Sequence, residues 1–202
     1  MVVSKYAALA DVEAAYQAGV RDFGESRAQD LRVKQAHFSA YSDPPRWHFM
    51  GHLQRNKIAK VLPLVSSLHS VDSLTLAQAL EEYCQKNALS NTLDVFLEIN
   101  LSGEAQKHGF DLTDLKTLEQ AWTILGRTPQ LRLAGLMGMS SANASTELVR
   151  KQFADLRALR DLLGSRHTHS GLWLSMGMSQ DYAVALAEDA NVLRIGSLLF
   201  EE

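Results

Sequence analysis

Short apolar or β-branched runs alternate with amphipathic stretches along almost the whole chain. Such runs are typical of strands buried on both faces, whereas apolar residues at a 3.6-residue spacing predict helices packed on one side. The runs that predict strands cover residues 1–5, 22–26, 46–51, 67–72, 94–100, 131–139, 172–177 and 192–200.

The stretches between these runs have the end signals of helices. Residues suited to helix ends are Asp11 and Gly19 around the first helix, then Ser73, Asp111 or Thr113, and Ser145 at later starts. In the longest helix, one buried stripe is predicted to consist of Leu148, Phe153, Leu156, Leu159 and Leu163.

Strands that alternate with helices are expected to be parallel, because each return to the same sheet edge needs a crossover. Eight such strands match the count of a (β/α)₈ barrel of the TIM type. An open doubly wound sheet is the alternative, and the number of strands does not exclude it. The first strand is not followed by a GxGxxG turn, which disfavours the dinucleotide-binding version of that sheet. We therefore favour the α/β barrel, with residues 1–202 forming a single domain.

Composition narrows the class of partner. The net charge of −3 does not indicate the excess of basic residues that is typical of proteins binding nucleic acid. No apolar run approaches the roughly 18 residues of a membrane span. The only cysteine, Cys84, lies in a helical pattern, so neither a disulfide framework nor a zinc cluster built on cysteines is expected. We expect a cytoplasmic protein with no nucleic-acid or membrane partner.

The barrel prediction gives Lys5 a chemical meaning, since barrel active sites lie at the carboxyl ends of the strands. Lys5 ends the first predicted strand, which closure places beside the last one. Loops after the last two strands commonly bind phosphate, and Gly196, Ser197 and Ser175 offer amides and hydroxyls there. With a buried Arg194 nearby, this corner suits a phosphorylated aldehyde bound as a Schiff base.

Several motifs carry a family resemblance. VVSK, DFGES, WHFMGHLQRNK, HSVD, GLMGM, LSMGMSQD and LRIGS, in this order, resemble the pyridoxal-phosphate homeostasis proteins. These are single-domain relatives of the N-terminal barrel of alanine racemase, and the likeness extends from Val2 to about Phe200. The resemblance implies a protein of vitamin B6 and amino-acid balance without an established catalytic turnover.

The resemblance also implies a set of contacts to pyridoxal 5′-phosphate. It implies a Schiff base on Lys5, Arg194 at the pyridine nitrogen, and phosphate contacts from Ser175, Gly196 and Ser197. Strand alternation is consistent with this, because Arg194 and Gly196 share one face. Candidate recipients of the cofactor are apo-enzymes that require it, and a monomer is expected.

Two departures from the family pattern affect these expectations. The family usually has asparagine where this chain has Ser26, whose shorter side chain reaches less far toward the ligand, so Ser26 is the weakest expected contact. The family also has a helix before the first strand and more residues after the last. The barrel is therefore expected to have abbreviated flanks, and we hypothesise that Met1 is not the natural start.

Catalytic turnover is not expected. An arginine donates to the pyridine nitrogen rather than protonating it, which leaves the ring a poorer electron sink. Alanine racemase adds, by analogy, a second domain with the opposite-face base, whereas only Glu201 and Glu202 follow the last strand here. Two alternatives stay open: a weak racemase or decarboxylase using the same cofactor, and an aldolase-like barrel that uses Lys5 without a cofactor.

The remaining candidates favour structural roles. His48 and His69 lie on predicted strands, where hydrogen-bonded core histidines are more common than catalysts. His167 and His169 suggest a metal only faintly, because further ligands at suitable spacing are missing, and no metal is predicted. Ser179 is expected to start the helix between the last two strands.

Overall fold

The computed structural model describes residues 1–104, 106–168 and 171–200. The strands in these ranges are β1 Val2–Val3, β2 Asp22–Glu25, β3 Arg46–Phe49, β4 Ser67–Val71, β5 Leu93–Asn100, β6 Phe110–Asp111, β7 Leu131–Gly138, β8 Trp173–Met178 and β9 Val192–Arg194. The helices are α1 Leu9–Gln17, α2 Ala28–Phe38, α3 Ile58–Val61, α4 Leu74–Lys86, α5 Leu115–Gly126, α6 Thr146–Arg166, α7 Tyr182–Ala187 and α8 Ser197–Phe200, with short 3₁₀ helices at Arg55–Lys57 and Leu62–Leu64.

The strands form a parallel barrel in the order β1-β2-β3-β4-β5-β7-β8-β9, with β6 paired to β5 outside this path. Closure occurs between the first and last strands, where Val2 pairs with Ile195. The Val3 amide donates to the Ile195 carbonyl at 2.7 Å, and the Ile195 amide donates to the Met1 carbonyl at 3.2 Å. The (β/α)₈ prediction is therefore confirmed, and the open sheet is excluded.

Helices cover the outside of the barrel with apolar faces that the sequence largely predicts. Ser73 and Ser145 cap α4 and α6, each accepting a hydrogen bond from the amide three residues later. In α6 the predicted stripe is buried from Phe153 onward, but Leu148 is 43% exposed and Val149 is buried instead. The prediction for Leu148 is wrong because residues 149, 153, 156 and 163 follow the helical period more closely than 148 does.

Three other helix starts differ from prediction. Asp11 lies inside α1 and accepts from the Ala8 amide at 3.1 Å, so it supports the cap from the third helical position. α5 begins after Asp114, whose carboxylate accepts from the Thr117 amide, whereas Asp111 accepts from the Thr113 amide in the preceding turn. α7 begins after Asp181 rather than Ser179. The Gly19 prediction is confirmed by its φ of +98° after α1.

Several strands end before the predicted residue, among them β1, β3 and β9. β1 ends at Val3, and Lys5 lies in the turn that follows. The last predicted strand stops at Arg194, since the Gly196 carbonyl accepts from the Leu199 and Phe200 amides and starts α8. Among the described residues, no helix has the length and apolar character needed to cross a membrane.

Candidate functional site

Lys5 lies at the carboxyl-terminal mouth of the barrel, just after β1. Its side chain is half-buried, and the amine nitrogen is 4.9 Å from the centroid of the exposed Tyr6 ring. The Ala7 amide donates to the Ser4 carbonyl and closes the turn that carries the lysine. The turn therefore presents a primary amine at the barrel mouth, next to the seam where the first strand, β1, meets the last strand, β9.

A buried ion pair holds the residue that precedes Lys5. Lys34 of α2 donates to Glu25 Oε1 at 2.7 Å and to the Ser4 carbonyl at 2.6 Å. The Ser4 hydroxyl donates to the same Glu25 oxygen at 2.7 Å. All three residues are buried, so this network ties β1, β2 and α2 together directly beneath Lys5.

Arg194 ends β9 and is buried inside the barrel. Its Nη1 donates to the carbonyl and hydroxyl oxygens of Ser175 at 2.5 and 3.1 Å, and its Nη2 donates to the Gly138 carbonyl at 2.9 Å. Burial lowers the pKa of Arg194 to about 10, with partial compensation from Asp181 and Glu98. The guanidinium therefore stays cationic at neutral pH, with its orientation fixed by neighbouring strands.

A chain of hydrogen bonds crosses the barrel interior from Arg194 to the opposite end. Its successive members are Arg194, Ser175, His69, Ser67, His48 and Asp22. The five distances along it are 3.1, 2.9, 2.7, 2.7 and 3.1 Å. His48 and His69 are thus hydrogen-bonded core histidines, in agreement with their predicted structural role.

The two ends of this chain determine its direction. A guanidinium can only donate and a carboxylate can only accept. With neutral imidazoles, each hydroxyl and each ring therefore donates its hydrogen bond to the neighbour on the Asp22 side. Burial, reinforced by the charge of Arg194, holds the pKa of His69 well below its usual value. Hydrogen bonds from His48 and Arg46 lower the pKa of Asp22. One arrangement of hydrogens therefore satisfies the whole chain.

An oxygen-binding cradle lies where β8 and β9 end. The amides of Gly196 and Leu198 both donate to the Ser179 hydroxyl, at 3.4 and 3.3 Å. A Cβ on Gly196 would lie 3.1 Å from the Val3 carbonyl oxygen and 3.3 Å from Val3 Cβ, so the backbone there is packed closely against β1. The cradle therefore adjoins the strand that leads to Lys5.

The structure brings most, but not all, of the predicted contacts to this corner. Lys5, Gly196 and Ser197 lie around the seam between β1 and β9, and Ser26 follows β2 at the same end. The Ser175 hydroxyl is fully buried and bonds to His69 and Arg194 inside the barrel. The hydroxyl found in the cradle belongs to Ser179.

The histidine pair considered for a metal is not brought into a described cluster. His169 lies outside the described residues. His167 stacks on Trp122 with ring centroids 4.2 Å apart.

Glu98 of β5 is a buried carboxyl group of the barrel interior. Burial and the charge of Asp72 raise its pKa from 4.5 to about 7, while Arg194 and His52 act in the opposite direction. The unfolded chain releases this proton near pH 4.5, whereas the folded protein keeps it until about pH 7. The folded state therefore binds more protons in this window, and Glu98 lowers stability progressively as the pH rises through it.

Replacement of Glu98 by glutamine is expected to stabilise the protein at pH 8 by on the order of 2–3 kcal/mol, because it removes the cost of ionising a buried carboxyl group. At pH 4.5 the gain is expected to be small. Urea unfolding of both proteins at the two pH values measures the difference. An equal change at both pH values would contradict the assigned titration.

The class of the barrel is shown by its relatives. The family described as "Alanine racemase, N-terminal domain" matches residues 2–202. An alanine racemase from Clostridium difficile has the same fold, with a TM-score of 0.78 at 14% identity, over 100% of this chain and 51% of that one. The chain is thus an alanine-racemase-type barrel.

Within this class, the chain belongs to the family of pyridoxal phosphate homeostasis proteins. A protein of this name from Pseudomonas aeruginosa is 40% identical over 201 residues, which are 99% of this chain and 82% of the relative. One from Aquifex aeolicus is 37% identical over 188 residues, 93% of this chain and 79% of the relative. The structure of PipY from Synechococcus elongatus with PLP bound has a TM-score of 0.87 at 31% identity, covering 99% of this chain and 91% of that one.

Proposed function

We propose that this chain binds pyridoxal 5′-phosphate (PLP) as a Schiff base on Lys5 and serves in PLP homeostasis and amino-acid balance. The observation that carries the proposal is the convergence of three groups on one seam of the barrel. The Lys5 amine follows β1, the amide cradle follows β9, and the Arg194 guanidinium lies inside. These groups fit an aldehyde, a phosphate and a pyridine nitrogen, respectively.

The phosphate is proposed to bind in the cradle between β8 and β9. The Gly196 and Leu198 amides already converge on an oxygen atom, that of Ser179, and a phosphate oxygen accepts from amides in the same way. The hydroxyls of Ser179 and Ser197 would add two donors. Ser175 is assigned a different role: its hydroxyl accepts from Arg194 and thereby orients the guanidinium.

Arg194 is proposed to donate a hydrogen bond to the pyridine nitrogen. Its bonds to Gly138 and Ser175 leave little freedom for the guanidinium to turn. Its cationic state means that it cannot accept a proton and is a poor acid, so it favours an unprotonated ring nitrogen. PLP supplies an electron sink for amino-acid chemistry, and this arrangement weakens it. We therefore propose a carrier or buffer of the cofactor, acting as a monomer, that supplies apo-enzymes requiring PLP.

Borohydride trapping tests the covalent link directly. The purified protein is expected to show a visible absorption band that disappears on reduction. Trypsin normally cleaves after Lys5 and Arg21, but a pyridoxyl group on Lys5 would block the first cut and give the modified peptide 1–21. Lys5→Ala should lose both the band and the adduct, because it removes the amine that would form the Schiff base. Lys60→Ala, which removes an exposed lysine of α3, should retain both.

Three outcomes would overturn parts of this proposal. An adduct on another peptide, or a colourless protein that ignores added PLP, would exclude Lys5 as the attachment point. Incubation of the unreduced protein with single amino-acid enantiomers tests the carrier role. Inversion or decarboxylation that is lost in Lys5→Ala would show an enzyme instead.

A further inference from the structure

His52, Asp72 and His108 form a cluster at the barrel mouth, away from the seam that carries Lys5. His52 follows β3, Asp72 follows β4, and His108 lies between β5 and β6. Their candidate ligand atoms all lie within 4.8 Å of one another. None of the three contributes a group to the proposed cofactor contacts.

The distances in this cluster are close to those of a metal site. His52 Nδ1 lies 2.7 Å and His108 Nδ1 lies 3.6 Å from the same oxygen, Asp72 Oδ2. Zinc bonds of about 2.0–2.1 Å in a tetrahedron place neighbouring ligand atoms about 3.3 Å apart. The two observed distances lie on either side of this value. Even the widest pair needs to close by only about 1.5 Å to reach it.

The cluster combines a fixed carboxylate with two adjustable imidazoles. Asp72 is buried, and its other oxygen, Oδ1, accepts a hydrogen bond from the Ser73 hydroxyl at 3.0 Å. Both histidine side chains are exposed, at 44% and 57%, and their rings stack with centroids 3.9 Å apart. A second-layer bond of this kind orients a ligating carboxylate, while exposed rings can rotate toward an ion.

Charge also favours a cation at this position. Among the salt bridges of the described residues, the buried carboxyl group of Asp72 pairs only with the two imidazoles, and no lysine or arginine neutralises it. Histidine nitrogen and carboxylate oxygen are ligands that suit zinc and similar ions, whereas magnesium and calcium prefer oxygen alone.

We propose that His52, Asp72 and His108 bind one divalent transition-metal ion of the zinc class. Three protein ligands leave at least one coordination position open toward the mouth, where water can bind. The site lies on the β3–β5 side of the barrel and does not depend on how PLP is held. It therefore goes beyond the proposed function.

Cobalt titration of the borohydride-reduced protein tests this site. Reduction removes the visible absorption of PLP, so the bands of cobalt can be read directly. If the protein carries no PLP, it is already colourless and is titrated as purified, so failure of the cofactor proposal does not affect this test. We expect one Co²⁺ per chain with the intense visible bands of a four-coordinate site, and displacement by one equivalent of Zn²⁺.

Variants separate this cluster from ordinary surface histidines. His108→Ala removes an exposed ring and is expected to weaken Zn²⁺ binding at least tenfold and to abolish the cobalt bands. His52→Ala should do the same. His37→Ala is the matched control, because His37 also pairs with a carboxylate, Glu13, at 2.9 Å. Absence of four-coordinate bands, binding that survives His108→Ala, or an equal loss in His37→Ala would overturn the proposal.

Discussion

Replacement of Lys34 by methionine is expected to destabilise the protein by about 3–5 kcal/mol. Glu25 is fully buried, and Lys34 supplies the only cation near it among the salt bridges of the described residues. The Oε2 atom of Glu25 already has no hydrogen-bond partner among the described residues. Methionine keeps the apolar stem of lysine but leaves the carboxylate uncompensated and the Ser4 carbonyl without its donor.

A double-mutant cycle distinguishes the charge effect from simple loss of packing. Glu25→Gln combined with Lys34→Met removes both charges, so it should recover a large part of the lost free energy of unfolding. Urea unfolding at pH 7 measures all four proteins. A single variant that costs less than about 1 kcal/mol, or a double variant that is strictly additive, would show that the ion pair contributes little.

The sequence predicts the fold best where a repeated pattern controls it. Eight alternating strand and helix signals predict the barrel, since parallel strands need crossovers and closure brings the first strand next to the last. This neighbourhood alone places Lys5 near Arg194 and Gly196. The exact strand ends do not follow from this pattern, because they depend on local hydrogen bonds, such as those that turn residues 197–200 into a helix.

The less predictable features are contacts between residues that are distant in sequence. The choice between Ser175 and Ser179 depends on which hydroxyl the Gly196 and Leu198 amides reach. The Lys34–Glu25 pair joins a helix to a strand, and although Glu25 belongs to the DFGES motif, nothing in that motif identifies Lys34 as its partner. His52 and His108 belong to different loops, so no ligand spacing is visible in the sequence.

Sequence signals nevertheless exist for part of these features. A lysine or glutamate on a buried face of a helix or strand needs a partner of opposite charge within the protein, because a buried charge without a partner is costly. Glu25 lies on β2 and Lys34 on the inner face of α2, which fits that rule. The rule identifies candidate residues but not their partners, because pairing depends on how α2 packs against the barrel.

Replacement of Gly51 by alanine is expected to destabilise the protein by at least about 2 kcal/mol and to weaken PLP binding. Gly51 follows β3 at the mouth, and its carbonyl accepts from the Ser70 hydroxyl at 2.7 Å. An added Cβ would lie 2.8 Å from the carbonyl carbon and 2.9 Å from the Cα of Ser26, and closer still to the Ser26 carbonyl oxygen. Because these are backbone atoms, the segment after β2 must shift, and this segment borders the turn that carries Lys5.

Gly126→Ala provides the matched control for this substitution. Gly126 ends α5, and a Cβ there would meet no atom of the described residues within 4 Å. Alanine should therefore leave PLP binding unchanged and raise stability by up to about 1 kcal/mol through helix propensity. Thermal unfolding and PLP titration of both variants measure the two effects. If Gly51→Ala unfolds like the parent protein and binds PLP equally well, the close packing of Gly51 against Ser26 cannot be what shapes this side of the mouth.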